Sequence, residues 1–477
     1  MTPNPASGPM RLAAALLAGV FRLAGLAALG LLLFFPSFKG RPEGWLPLIA
    51  SAATAAGLCV PVAARFRGRV LDILGRLSLG PFLILALGLP ALLQAGLVLC
   101  LRPAPAFDGL FVLQEAARLA QTGAMSPLTY YAPGQIWYYA LLFKTFGATP
   151  LVAQLGQAPL FLGMILAFHA MARRALPPLP ARLATLAMAF YPSMILYALV
   201  TPYYFYLYTL MILLMAGRWL AVARGGGAGA GFTGGLAAGF GALTKAVLLV
   251  APVQALAFWL LSARSFFQRR VWAAWLAFLV GMVIVIAPWA WRNRQVFGEP
   301  VLVCTSGPLV LWSANNPESD GLYSPLPDTT RIDTPDEMLR HMRYCRDQAK
   351  ARILFHPGAF LRLAARKLLH TWGTETSYVE LINRGGAPLG PLDPALRFIT
   401  QAGWGTLVIL WAFVAARALV RRRPATPVEL ATAILVLSKG VIYSFYEGGA
   451  RHHLPVVPLL ILYVVSELVA DRRSEIA

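Results

Sequence analysis

The chain has 477 residues, of which 58% are hydrophobic and 13% charged, a balance that excludes a soluble globular fold of this length. Repeated apolar runs of about 20 residues are instead the mark of membrane-spanning helices. The formal net charge of +21 does not point to nucleic acid, because the arginines sit in short clusters between apolar runs, where they serve as orientation signals and contacts to anionic lipid.

In chain order, the apolar pattern predicts an all-α polytopic membrane protein of about twelve spans, near 12–35, 44–64, 79–101, 150–172, 183–200, 203–217, 232–248, 250–263, 271–291, 402–420, 427–446 and 454–470. The first run continues to Phe35 without a small-residue cleavage site and is read as an uncleaved span. With the N-terminus in the cytoplasm, the inside loops hold Arg65, Arg67, Arg69 and Arg76, then Arg173, Arg174 and Arg182, then Arg218 and Arg224, then Arg264, Arg269 and Arg270. Arg421, Arg422, Arg423 and the tail residues Arg472 and Arg473 follow on the same side, while the short outside loops hold little beyond Lys39, Arg41 and Arg451. This assignment places segments 102–147 and 292–401 outside the cytoplasm. It divides the chain into an N-terminal pair of spans with a basic loop (1–78), a core (79–300), an outer segment (301–401) and C-terminal helices (402–477).

Segment 102–147 sits between spans without being one. A proline-punctuated turn ends at Asp108, a helical pattern follows, and Gly123 and Pro127 stop it. Tyr130, Tyr131, Pro133, Gly134 and the run Trp137, Tyr138, Tyr139 then lead to Phe146-Gly147. Tyr and Trp favour the membrane–water boundary, so two short interfacial helices are expected, with Asp108 at the mouth of a cavity. Asp108 also has the residue type of a cap for the helix after it. Glu115 lies on the same helical face and reads as a solvated or Arg-paired acid.

Farther along, GGGAGAG at 225–231 is a cytoplasmic loop rather than a phosphate cradle, since no Lys-Ser/Thr follows and no strand precedes it. Gly239, Gly241 and Pro252 interrupt the short spans within 232–263, and broken helices in membranes line cavities. Lys245 falls among apolar residues there. A charge at that depth costs about 2.5–3.5 kcal/mol unless it meets water or a partner, so it either contacts a lipid phosphate or snorkels to the interface. In the outer segment a helix is expected over Thr334–Phe355 with Thr334 as N-cap, then a basic amphipathic helix over 359–372 lying on the membrane surface. Lys144 and Lys367 read as interfacial cations, and Tyr203, Tyr204, Tyr206 and Tyr208 as span packing. The four cysteines fit no metal pattern, but Cys304 and Cys345 both fall on the oxidising side, where a disulfide is expected to be allowed.

Several stretches together resemble the GT-C membrane glycosyltransferases, in particular the protein O-mannosyltransferase and lipid A aminoarabinose transferase group. They are Asp108 with YAPG at 131–134 and Phe146-Gly147; Pro288, Trp289, Arg292, Asn293, Phe297 and Gly298; Trp312, Asn315, Asn316, Pro317, Gly321 and Tyr323; and Arg451, Leu454, Pro455 and Pro458. The matches keep their order from about 79 to 470, which makes the first two spans an addition to the family core. Two departures stand out. Gly109 replaces the second acid that many relatives carry after the loop Asp, and Thr201, Pro202 and Tyr203 stand where many carry a Glu.

The resemblance implies transfer of a sugar from a polyprenyl-phosphate carrier to an acceptor outside the cytoplasm (a glycolipid, lipopolysaccharide or protein) in a bacterial inner membrane, with the active site facing the periplasm. Phosphate leaves without a proton, so the reaction needs one base and a set of cations, not the carboxylate pair of a double displacement. Asp108 is the expected base of a single inverting displacement. Lys245, Arg292, Arg294, Arg451 and His452 are the expected phosphate ligands, and Tyr131, Glu447 and His453 the acceptor or sugar contacts. No cofactor is required; a divalent metal stays open without a supporting ligand pattern, since adjacent His residues on a helix point about 100° apart and rarely share a metal. The expected partners are the lipid-linked donor, a lipid or glycan acceptor and membrane lipids, with no nucleic acid. A transporter or flippase of a lipid-linked substrate would share the spans and Lys245, and a surface-polysaccharide polymerase or ligase would use the outer Arg and His residues without an Asp base.

Overall fold

The computed structural model describes residues 8–38, 45–59, 71–105, 107–199, 204–263, 268–322, 332–384 and 389–476. Lys39, Arg41, Arg65, Arg67, Arg69, Thr201, Pro202, Tyr203, Arg264 and Tyr323 lie outside the described residues. Among those described there is no β-strand. The helices are α1 (Pro9–Phe38), α2 (Trp45–Cys59), α3 (Leu79–Leu101), α4 (Phe107–Thr122), α5 (Pro133–Phe146), α6 (Pro150–Ala175), α7 (Pro178–Ala189), α8 (Phe205–Ala223) and α9 (Ala228–Thr244). They continue as α10 (Ala251–Ser262), α11 (Arg269–Phe297), α12 (Ser306–Ser313), α13 (Pro335–Phe355), α14 (Pro357–Trp372), α15 (Ser377–Arg384), α16 (Leu392–Val420), α17 (Pro427–Phe445) and α18 (Val457–Ile476).

Among the described residues eight helices are long and apolar enough to cross a membrane: α1, α3, α6, α8, α11, α16, α17 and Ala450–Ala470; Trp45–Gly57 and Ala246–Ser262 are shorter apolar helices. The protein is a multi-pass membrane protein. The expected span at 183–200 is divided between the twelve-residue α7 and a short turn of helix at Pro192–Leu196. Residues 228–244 of the Gly-rich region form one unbroken helix.

That helix corrects the expectation that Gly239 and Gly241 interrupt the chain. A Cβ on Gly231 would lie 2.0 Å from the Ala274 carbonyl oxygen, one on Gly235 2.0 Å from that of Phe278, and one on Gly239 2.8 Å from Val285 Cβ. The glycines form a stripe at i, i+4, i+8 that lets the backbones of α9 and α11 touch, the small-residue packing common in membranes. The break comes later, at Lys245, where the chain leaves α9 in an extended conformation and re-enters a 3₁₀ turn over Ala246–Val250. Pro252 sits in the first turn of α10, where its missing N–H leaves no helical acceptor wanting.

The N-terminal pair is docked on the C-terminal helices. Arg22, buried in mid-α1, donates from Nε and Nη2 to the Glu429 carboxylate of α17 at 2.7 and 2.8 Å, and from Nη1 to the Arg423 carbonyl at 3.0 Å. Ser51 of α2 donates to the Ala402 carbonyl of α16 at 3.0 Å.

In the outer segment, α13 opens on a capping box: Thr334 Oγ1 accepts from Glu337 N–H while the Glu337 side chain accepts from the Thr334 N–H. The Asp333 N–H, which donates to the same carboxylate at 3.0 Å, and then these bonds hold the Glu337 carboxyl below its usual range. Lys367 of α14 is not the interfacial cation expected from its spacing. It is fully buried, and its ammonium donates to Asn315 Oδ1 at 2.8 Å and to the Phe445 carbonyl at 3.0 Å. Cys304 and Cys345 are free thiols, so the allowed disulfide is not formed.

Candidate active site

A cavity of about 400 Å³ opens where the start of α4, the Tyr130–Gln135 turn, the Lys245 break, the start of α12 and the α17–α18 connection meet. Asp108, Tyr131, Lys245, Glu447 and Arg451 all line it, five residues drawn together from separate stretches of sequence. Each is placed by local structure that can be traced.

Asp108 is the second residue of α4, inside its first turn rather than before it, where the helix dipole favours an acid. Tyr131 Oη donates to Asp108 Oδ1 at 3.1 Å. Pro133 then starts α5, and a Cβ on Gly134 would lie 2.7 Å from Thr244 Oγ1 and 3.0 Å from the Leu243 carbonyl oxygen. YAPG thus does two jobs. Tyr131 reaches the acid, and the bare backbone at Gly134 lets α5 seat against the end of α9, which carries Lys245 to the same cavity. Lys245 Nζ lies 4.0 Å from the Tyr204 ring centroid, a cation–π contact that partly offsets its desolvation.

A further part of the lining is the Ile442–Arg451 stretch. Arg451 donates to the Glu447 carboxylate. Burial alone would raise the Glu447 pKa, but Arg451, the contact with His452 and the nearby Lys245 outweigh it and hold the carboxyl below its usual range. This wall is fixed from behind. Asn315 Nδ2 donates to the Phe445 carbonyl at 2.7 Å, Lys367 donates to the same oxygen, and Gly448 N–H donates to the Gly321 carbonyl at 2.8 Å. A Cβ on Gly448 would lie 2.6 Å from the Lys367 carbonyl oxygen, so glycine is what permits this approach.

The other expected site residues lie elsewhere. Arg292 donates to Ser126 O at 2.8 Å and to Thr129 Oγ1, while the Glu115 carboxylate accepts from Ser126 N–H. Arg292 and Glu115 therefore grip Ser126 from its two sides, carbonyl and N–H, in the turn that leads into Tyr130-Tyr131. Arg294 is exposed on the surface of α11. His452 is buried, with its ring stacked on Tyr443 at 3.8 Å. His453 lies between Trp372 and Trp404, with Nδ1 against the Thr371 carbonyl and Nε2 2.8 Å from Glu375 Oε1. None of the four lines the cavity.

The other resembling motifs are scaffold. Trp289 Nε1 donates to Val303 O at 2.7 Å and Asn293 Nδ2 to Val301 O at 2.9 Å, clamping segment 301–303 to the end of α11 and aiming Cys304 and Ser306 at the cavity.

Sequence reading passed over Gln135. It lines the cavity and is 2% exposed, and neither its Nε2 nor its Oε1 meets hydrogen-bond geometry with a partner among the described residues. A polar residue directly before Ile136 on an otherwise apolar helix face was the available signal. Among the described residues no three His, Cys, Asp or Glu side chains come together as a metal-binding group. Asp108 and Glu447 come from different stretches of the chain, and Glu447 is taken up by Arg451.

No protein-family model matches the chain, and no curated protein matches it significantly in sequence. Among solved structures it is similar to the oligosaccharyltransferase AglB of Archaeoglobus fulgidus in complex with an inhibitory peptide and a dolichol-phosphate, at 13% identity and a TM-score of 0.50 over 81% of this chain and 50% of that one. The apo form of the Archaeoglobus fulgidus oligosaccharyltransferase gives 13% identity and a TM-score of 0.49 over the same shares. ArnT from Cupriavidus metallidurans, bound to undecaprenyl phosphate, gives 14% and 0.44 over 82% of this chain and 79% of that one. The chain spans about half the length of the archaeal enzyme. The chain has the GT-C fold that its motifs resemble.

Proposed function

We propose that the protein is a membrane glycosyltransferase that moves a sugar from a polyprenyl-phosphate carrier to an acceptor hydroxyl on the extracytoplasmic side of a bacterial inner membrane. The observation that carries this reading is the cavity itself, whose lining brings one carboxylate held by a tyrosine, Asp108, together with the cations Lys245 and Arg451. The GT-C fold supports it, and the archaeal protein of that fold was captured with a dolichol-phosphate.

In this mechanism Asp108 takes the proton of the acceptor hydroxyl as its oxygen bonds to the anomeric carbon. The bond from that carbon to the phosphate oxygen breaks, and the phosphate departs with the electron pair. Lys245 and Arg451 hold the charge that develops on it. Tyr131 orients the carboxylate, and one displacement inverts the anomeric centre.

The test is Asp108→Asn, assayed for transfer from a lipid-phosphate sugar in membranes. The substitution keeps size and suits the first turn, but it removes the proton acceptor, which typically costs about 10²–10⁴-fold in rate. Transfer should fall by that much at unchanged thermal stability. Turnover within a few-fold of wild type would remove Asp108 from the chemistry.

A further inference from the structure

A second cavity, of about 210 Å³, lies outside the reaction cavity, between the α13–α14 corner and the Asn315–Ser319 turn. Three arginines line it: Arg352 from the last turn of α13, and Arg362 and Arg366, which share a face of α14 at i, i+4. None of the three guanidinium groups has an ion-pair or hydrogen-bond partner among the described residues. Elsewhere in the outer segment arginine does find acids, as in Arg343 with Glu299 and Arg397 with Asp393. Three guanidinium groups around one small cleft repel each other unless an anion joins them, and their planar forks suit phosphate oxygens.

The surroundings of the cleft are apolar. Leu354, Phe355 and Leu361, at the same corner, are 71%, 77% and 65% exposed. Large side chains so exposed next to arginines are the pattern of a helix corner seated at the boundary of a bilayer, where acyl chains meet headgroups. A free anion would need no such apolar rim.

We infer that this cleft binds the phosphate of an anionic membrane lipid, with Arg352, Arg362 and Arg366 on the headgroup and Leu354, Phe355 and Leu361 against its chains. Asn316 and Ser319 add polar groups to the lining. The cleft is also tied by hydrogen bonds to the chain stretch that lines the reaction cavity. Asn315, which lines the cleft, holds the Phe445 carbonyl two residues before Glu447, and Lys367, next to Arg366 in α14, bonds to both. An occupied cleft would therefore brace the wall that carries Glu447 and Arg451. The binding does not depend on the transferase reading.

The full-length protein in detergent, titrated with phosphatidylglycerol and followed by native mass spectrometry, tests this directly. Wild type should retain phosphatidylglycerol roughly tenfold or more tighter than the Arg352→Gln/Arg362→Gln/Arg366→Gln variant, since charge-assisted contacts are lost. A variant of equal charge loss on the exposed part of α13, Arg340→Gln/Arg346→Gln/Lys350→Gln, should stay within about twofold of wild type, because long-range attraction alone is screened by salt. Diacylglycerol with the same chains should not be retained, and millimolar inorganic phosphate should not displace the lipid. Equal losses in the two triple variants would overturn the site, as would equal retention of diacylglycerol (an apolar groove) or displacement by inorganic phosphate (a soluble-anion site). Should the triple variant unfold, Arg362→Gln alone, at an exposed position, should still weaken phosphatidylglycerol binding, and no change would count against the proposal.

Discussion

An unsatisfied buried amide group costs about 1–3 kcal/mol, and Gln135 stands on the cavity wall with neither its nitrogen nor its oxygen in hydrogen-bond geometry with another described residue. Such a residue persists where a ligand completes its bonds, and sugar hydroxyls both donate and accept. Gln135→Leu should therefore raise or preserve the melting temperature while lowering transfer roughly tenfold, mainly through KM, as expected for lost ground-state binding. A lower melting temperature with unchanged kinetics would make Gln135 a packing residue. At this scale the sequence was informative where charge is scarce: Asp108, Lys245, Glu447 and Arg451 stand out against apolar neighbours and meet at one cavity. It does not say which way side chains project from the two 3₁₀ turns over Ala450–His452 and Leu454–Val456, so sequence alone does not separate His452 and His453 from Arg451. Gln135 stayed hidden because a neutral amide gives no charge signal.

Two elements set the walls, and each can be perturbed alone. The α9–α11 contact depends on glycine: Gly235→Ala would put a methyl 2.0 Å from the Phe278 carbonyl oxygen, forcing the helices apart at a cost of about 1–3 kcal/mol. Its melting temperature should fall, while Gly229→Ala, where the methyl meets nothing within 4 Å, should match wild type. Equal behaviour of the two would refute the stripe. The second element is α14. Burial pushes the Lys367 pKa down to about 7, against about 10.4 in an unfolded chain. Between those values the unfolded state holds a proton that the folded state has released, so Lys367 adds stability as pH rises from about 7 to about 10. The melting temperature of wild type should accordingly rise relative to that of Lys367→Met between pH 7 and pH 9. A gap independent of pH would mean that the buried amine keeps its charge. Sequence pattern placed both elements, since the Thr334 cap and the amphipathic run stand where expected. It misjudged their inner faces, because a glycine stripe and a break look alike in composition, and a buried lysine looks like a snorkelling one.

For the whole molecule, the repeated apolar runs make a helical membrane protein legible from composition alone, and the ordered motifs make the GT-C fold legible in the sequence. The number of full crossings was less so, because Pro177, Pro192 and the Lys245 turn divide apolar stretches into pieces too short to span. The orientation proposed from the arginine clusters is open to direct measurement. In a cysteine-free background, Asp347→Cys should react with a membrane-impermeant maleimide in intact cells and Arg76→Cys only after lysis; the reverse pattern would invert the topology and move the reaction to the cytoplasm. The pair between Arg22 and Glu429 also has a consequence for how the chain is made. Its two members are 407 residues apart, and at ribosomal rates of about 5–20 residues per second the acid emerges roughly 20–80 s after the arginine. Throughout that interval the first helix waits in the bilayer with an uncompensated guanidinium, at an insertion cost of about 2.5–3.5 kcal/mol. Its buried arginine meets its acid only when α17 arrives, so the seat of α1 against α17 is set late in synthesis.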